Sequence, residues 1–424
     1  MNLIKTSFWQ GIATIIKFLA GLITTKIMAI FVGPAGVALI GNFNNITSMF
    51  IAFSNGGISS GITKYVAEYE DNHESQLNVV AHAIKINLVC SSVIGIIVLV
   101  FNKYLTSLIF GNLEYSSIVL IFGLTIIFYG LNATISAIIN GYKQVKYLII
   151  SGMIGSVLSV ILAIIITMKF KLYGALINTI IAQICFFFIN IYFVWKMKFF
   201  RFDLLKMKFD KALLWNLFKY AIMSLTTVLV VPTGTFIIRN YIYNHFSVNE
   251  AGFVQGVWGI SSVYLMVITT TLSTYYLPML SSIKEDSELR KEIFKGYKFL
   301  LPLATIGGIG VYFCRDIIIH ILYTSEFMPM RELFMFQIIG DFFKIASWIL
   351  AFNIVAKSMA RWYIISEVLF SFSYVGFSFC FMHYFGSVGV MYAYALNYFL
   401  YLMFILWLFR DLIFMKEKKI LNIK

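Results

Sequence analysis

The chain has 424 residues, 60% of them hydrophobic and only 12% charged, and its mean hydropathy is +0.86. That balance excludes a soluble globular protein and specifies an all-α polytopic membrane protein. The formal charge of +14 falls mostly in the breaks between apolar runs, where anionic lipid explains it without a nucleic-acid partner.

The first apolar stretch, Thr6 to Phe31, is long enough to cross a bilayer yet carries Lys17 and Lys26. At ~1.5 Å per residue, Lys17 lies roughly 16 Å into a slab about 30 Å thick, where a lysine costs on the order of 2.5–3.5 kcal/mol. Gln10, Thr14, Lys17, Gly21 and Thr24 share one helical face, and Ile12, Ile15, Ile16, Leu19, Leu22 and Ile23 cover the rest. The spacing predicts a wet side that faces a polar cavity. Lys26 points elsewhere and lies near the far interface, where it can snorkel. The run is too long and too charged for a cleaved signal peptide and reads as a retained span.

Apolar segments fall at about 6–31, 35–61, 79–101, 115–140, 146–168, 172–195, 212–238, 250–280, 296–322, 332–357, 361–382 and 386–410, which predicts twelve spans. Alternate breaks hold most of the lysine and arginine, whereas the others hold only Lys103, Lys169, Lys171, Arg239 and Arg331, so both termini are expected in the cytoplasm. An internal repeat is visible: Ala35-Gly36 maps onto Ala251-Gly252 and Tyr147 onto Tyr363 at an offset of 216, and Phe170 and Gly174 map onto Phe385 and Gly389 at 215. The expected organisation is two parallel six-helix lobes, 1–200 and 212–410, around a central cavity, with a basic linker at 201–211 and a basic tail at 411–424.

Polar groups recur inside the spans. Asn132, Ser136 and Asn140 form one stripe of the fourth span, and Asn42, Asn44, Asn45, Thr47 and Ser48 crowd the second. Each alone is explained by helix-to-helix hydrogen bonding, but together they suit a pathway for something rich in hydroxyls. Asp341 and Lys344 are spaced i, i+3, close enough to neutralise one another as a salt pair or to serve gating or ion coupling. Glu367 lies near a cytoplasmic helix end, and Pro232, Gly234 and Pro302 mark bends. The five histidines are scattered, the four cysteines sit in apolar runs, and no phosphate-binding loop, hydrolase elbow or zinc motif is present. Neither a cofactor nor a metal is expected, and the outer breaks are too short for a catalytic loop.

The segments LIKTSFW at 3–9, GPAG at 33–36, GITKYVAEY at 61–69, ITTTLSTYYLPML at 268–280 and EFMPMRELFMFQIIGDFFK at 326–344 resemble the Wzx-type flippases of O-antigen and enterobacterial common antigen. These belong to the multidrug/oligosaccharidyl-lipid/polysaccharide exporter superfamily. The resemblance implies a non-enzymatic, alternating-access carrier of undecaprenyl-pyrophosphate-linked glycan in the bacterial inner membrane. Its partners would be that lipid-linked glycan, membrane lipids and a glycan polymerase and chain-length complex. Lys17, Lys26, Arg239, Arg331, Asp341 and Lys344 sit at positions similar to the family's charged ones. The expected substrate-binding set is Lys17, Lys26, Thr14, Thr24, Asn44, Asn132, Asn140 and Arg239, and the expected gating or coupling set is Asp341, Lys344 and Glu367. The alternative reading is a cation-coupled multidrug antiporter of the same superfamily, which needs cavity carboxylates where the first lobe offers lysine. A non-transporting scaffold for glycan assembly is the third reading.

Overall fold

The computed structural model describes residues 3–196, 210–283, 285–357 and 359–413; most of the expected basic linker and tail lies outside them. Every regular element among these is helical. In chain order they are α1 (Leu3–Ser54), α2 (Ser59–Glu68), α3 (His73–Val100), α4 (Asn102–Phe110), α5 (Ser116–Gly141), α6 (Val145–Lys196), α7 (Lys211–His245) and α8 (Val248–Thr271). After a π-helical turn follow α9 (Leu277–Ser282), α10 (Asp286–Phe313), α11 (Arg315–Leu322), α12 (Phe334–Ala356), α13 (Ala360–Phe385), α14 (Gly389–Leu408) and α15 (Arg410–Ile413).

Nine segments among the described residues are long and apolar enough to span a membrane, and three of these, Trp9–Ser54, Val145–Lys196 and Ala360–Leu408, have 46, 52 and 49 residues. A single crossing needs about 20. Each of the three is broken once by a residue with positive φ: Gly33 (φ 69, ψ −176), Lys171 (φ 48, ψ −126) and Gly386 (φ 65, ψ −158). Counted on either side of these breaks, the spans are twelve.

The breaks share a design. Three residues after each stands a glycine: Gly36, Gly174 and Gly389. A Cβ on Gly174 would lie 2.3 Å from the Ile166 carbonyl oxygen, and one on Gly389 would lie 2.4 Å from the Phe381 carbonyl. Residues eight apart in a continuous helix are separated by ~12 Å, so the chain has reversed, and the glycine lets the returning strand of backbone pass. Ile166, Lys171 and Gly174 map onto Phe381, Gly386 and Gly389 at the offset of 215 read from the sequence, so the repeat is carried in backbone geometry as well as in residues. Lys171 is the exception, because a non-glycine residue in this region costs on the order of 1–2 kcal/mol.

The chain divides into two compact units, Met1–Pro232 and Thr233–Lys424. In the first, α1 packs on α6 and α3 on α5, and Leu213, Leu217 and Ala221 of α7 join a core of Ile58, Ile62, Val66, Val79, Ile84 and Ile138. His82 of α3 anchors the start of α7, its Nε2 accepting from the Asp210 backbone N–H at 2.7 Å. In the second unit α12 packs on α14 and α10, with Leu272, Leu289, Ile293, Ile349, Leu350 and Ile405 at its core. α7 and α10 run through Pro232 and Pro302 without an interruption. Large apolar side chains cover the outside: Ile15, Leu19 and Ile23, one turn apart on α1, are 60%, 51% and 46% exposed, as lipid contact requires.

The glycines at the reversals should be intolerant of any side chain. Gly174→Ala and Gly389→Ala are each expected to lower the thermal midpoint of the purified protein or abolish its accumulation in membranes, since the new methyl meets backbone atoms that cannot yield. Gly21→Ala, with nothing within 4 Å of the added carbon, is the control and should behave as wild type.

Candidate functional site

In the first unit, Lys17 lies about 200° round the helix from the lipid-facing Ile15, at 100° per residue. That face would ordinarily be buried, yet Lys17 and Gly21 are exposed on it, with Gln10, Thr14 and Thr24 half-buried beside them. The face read from the spacing as the wet side is therefore exposed at Lys17 and Gly21. Lys17 rests against α6 at Gly152: a Cβ there would lie 2.9 Å from Lys17 Cε and 3.0 Å from its Nζ, and would meet nothing else within 4 Å. Among the described residues the Lys17 ammonium forms no hydrogen bond or ion pair.

Charge on the surrounding helices is one-sided. Residues 9–54, 79–100, 116–141, 147–168 and 172–195 contain Lys17, Lys26 and Lys85 and not one aspartate or glutamate. Lys26 and Lys85 are half-buried. Spans whose charge is all of one sign suit a group that arrives with negative charge.

The other expected substrate contacts divide. Asn44 and Asn140 are exposed, whereas the Thr14 hydroxyl donates to its own helix at the Gln10 carbonyl, 2.8 Å. Asn132 is engaged between helices: its Oδ1 accepts from Asn190 Nδ2 at 2.7 Å, and Asn190 also reaches Ser136 at 3.4 Å. That stripe of α5 ties α5 to α6. Asn45, likewise, donates to the Pro232 carbonyl of α7 at 3.2 Å. Arg239, in the second unit, is only 2% exposed and has Trp258 5.5 Å from its guanidinium. The expected contact Arg239 is therefore enclosed in this structure, with its guanidinium beside Trp258 of α8.

The second unit confines its charge instead of exposing it. Asp341 of α12 is 2% exposed and is surrounded by neutral donors. Ser261 Oγ donates to its Oδ2 at 2.7 Å, Tyr264 donates to the same oxygen, Gln337 Nε2 approaches both oxygens at 3.2 Å, and Tyr394 donates to Oδ1 at 2.7 Å. These contacts occupy the carboxylate's lone pairs and compensate its removal from water. Lys344, expected as a direct partner from the i, i+3 spacing, is joined to Asp341 through a third residue: its Nζ donates to the Tyr394 hydroxyl at 3.3 Å. The ammonium lies over the rings of Tyr398, Trp348 and Tyr394 at 4.7, 5.1 and 5.5 Å, a cage that replaces the missing carboxylate contact. Glu367 is half-buried on α13. Ser261, Tyr264, Gln337, Tyr394 and Gly152 escaped the sequence reading; of these, Gln337 carried a signal that could have found it, its i, i+4 spacing from Asp341.

Residues 43–332 match the family described as Polysaccharide biosynthesis protein. The chain belongs to that family. A lipid III flippase from Escherichia coli (strain K12) is 29% identical over 413 residues, covering 96% of this chain and 99% of the relative, and a lipid III flippase from Shigella flexneri matches to the same extent. Among solved structures, an inward-facing MATE family multidrug resistance transporter of the MOP superfamily superposes with a TM-score of 0.78 at 14% identity, covering 95% of this chain and 96% of that one. The lipid II flippase MurJ in an inward closed conformation gives 0.75 at 16%, covering 95% and 87%. At these identities the superpositions show the fold.

For this polysaccharide biosynthesis protein the bridging hydroxyl is directly testable. Tyr394→Phe is expected to cut the energetic coupling between Asp341→Asn and Lys344→Met, measured by double-mutant cycles on the thermal midpoint, by about half. An unchanged coupling would mean that the two charges interact through space.

Proposed function

We propose that the protein is a flippase that moves an undecaprenyl-pyrophosphate-linked oligosaccharide from the cytoplasmic to the periplasmic leaflet of the bacterial inner membrane by alternating access, with both termini in the cytoplasm. The observation that carries this reading is the Lys17 ammonium, deep in the first span, on an open face, without an anionic partner. Such a substrate keeps its lipid tail in the bilayer, while its diphosphate and sugars need a polar route, because each unpaired polar group in hydrocarbon costs several kcal/mol. Lys17 offers the diphosphate a point charge, with Lys26, Thr24, Asn44 and Asn140 supplying donors along the same unit.

The names of the curated relatives support this reading. The work is relocation across the bilayer, with no bond made or broken, so the chain needs no catalytic group. A multidrug antiporter would require a carboxylate open to a cation. The spans of the first unit have none and Asp341 of the second is already saturated by four side chains, so that reading would have to rest on the half-buried Glu367. Asp341, Lys344 and Glu367 are proposed as the group whose hydrogen bonding changes during gating.

Two variants test the site. Lys17→Ala is expected to insert normally but abolish export, with the undecaprenyl-linked glycan accumulating on the cytoplasmic side in lipid extracts; Lys17→Arg should keep part of the activity because charge matters more than shape to a diphosphate. Full export by a well-expressed Lys17→Ala protein would refute the assignment. Gly152→Ala adds a methyl that meets only the flexible tip of Lys17, so it should spare the fold, displace the ammonium and reduce export roughly tenfold, an effect that disappears in a Lys17→Ala background. Equal effects in both backgrounds would show that Gly152 serves packing alone.

A further inference from the structure

At the end of the first unit where α1 and α6 make their reversals lies a cavity of ≈ 370 Å³, within the size range of small-molecule sites. Its walls include Glu114 and Tyr115 from the α4–α5 connection and Phe170, Lys171 and Tyr173 from the α6 reversal. Three features set it apart. Glu114 and Lys171 are both exposed and line the same hollow, yet no ion pair within 4.0 Å joins them. Two tyrosines line it: Tyr173 OH is 3.2 Å from Ser117 Oγ, and the Tyr115 ring lies 4.9 Å from that of Phe110.

The third feature is the backbone of Lys171. The same reversal in the repeat is made by Gly386, and the reversal of α1 by Gly33, both at no steric cost. A lysine at the remaining reversal is strained, and strain of this kind persists where the side chain is used.

We propose that this cavity is a sugar-binding site, in which a pyranose ring lies against Tyr173 and Phe170 while its hydroxyls donate to Glu114 and accept from Lys171. An anion is disfavoured because Glu114 would face it without screening. A neutral or amino sugar uses both charges. The site rests on the flippase reading only for the origin of the sugar, which would be the glycan at the face opposite the chain termini.

The test is saturation-transfer NMR on the full-length protein in lipid nanodiscs, with methyl α-glucoside and glucosamine as sugar probes and inorganic pyrophosphate as the anionic one. Wild type should show transfer to both sugars, and Glu114→Gln should bind them about tenfold more weakly with an unchanged thermal midpoint. Lys171→Gly is the decisive variant. Relief of the strained backbone should raise the midpoint by roughly 2 °C, while loss of the ammonium weakens sugar binding about tenfold. A purely structural Lys171 would move stability without moving binding. The proposal is overturned if wild type shows no transfer, if pyrophosphate displaces the sugars, or if both variants retain wild-type binding. Lys17→Ala should leave the sugar signal in place, so export by that variant judges the flippase reading and the NMR signal judges this one.

Discussion

The interaction that governs this molecule is the cost of holding a charge in hydrocarbon, and the two units meet it in opposite ways. The second gives Asp341 four neutral donors and encloses Lys344 in aromatic rings, so each charge is compensated by its own surroundings. The first leaves Lys17 exposed on one face of α1 against Gly152, with no hydrogen bond or ion pair to its ammonium among the described residues. A compensated charge has nothing to offer a ligand. An open one keeps its Coulombic attraction for a ligand, which is why the lysine, and not the more elaborate aspartate cluster, is proposed as the substrate contact.

That face depends on the reversals. A chain that must cross the membrane repeatedly with almost no connecting loop needs sharp turns, and the positive-φ residue followed three positions later by glycine supplies them at Gly33, Lys171 and Gly386. The turns fix the pairing of α1 with α6, and through it the seating of Lys17 on Gly152.

The number of spans, the repeat and the polar face of α1 were legible because each is a periodicity along the chain, and hydrophobic length and helical spacing report such features directly. Lys17 stood out for depth, which counting residues gives. What could not be read was anything set by a second helix. The i, i+3 spacing of Asp341 and Lys344 suggests contact, but Tyr394, some fifty positions away, stands between them. Arg239 is as polar in sequence as Lys17, and only packing against Trp258 distinguishes a buried arginine from an open lysine. Asn132 was marked as part of a pathway and instead bonds to Asn190.

The uncompensated lysine also has an electrical consequence. The spans of the first unit carry Lys17, Lys26 and Lys85 and no carboxylate, so a diphosphate with about two negative charges would lower their positive charge without reversing it. With the cytoplasm negative, the field would favour outward movement of the diphosphate and leave lysines that hold their depth unaffected. Each charge that crosses fully contributes ~2.3 kcal/mol per 100 mV, so an imposed potential would act on the proposed export step through the substrate's diphosphate and not through a lysine fixed in α1.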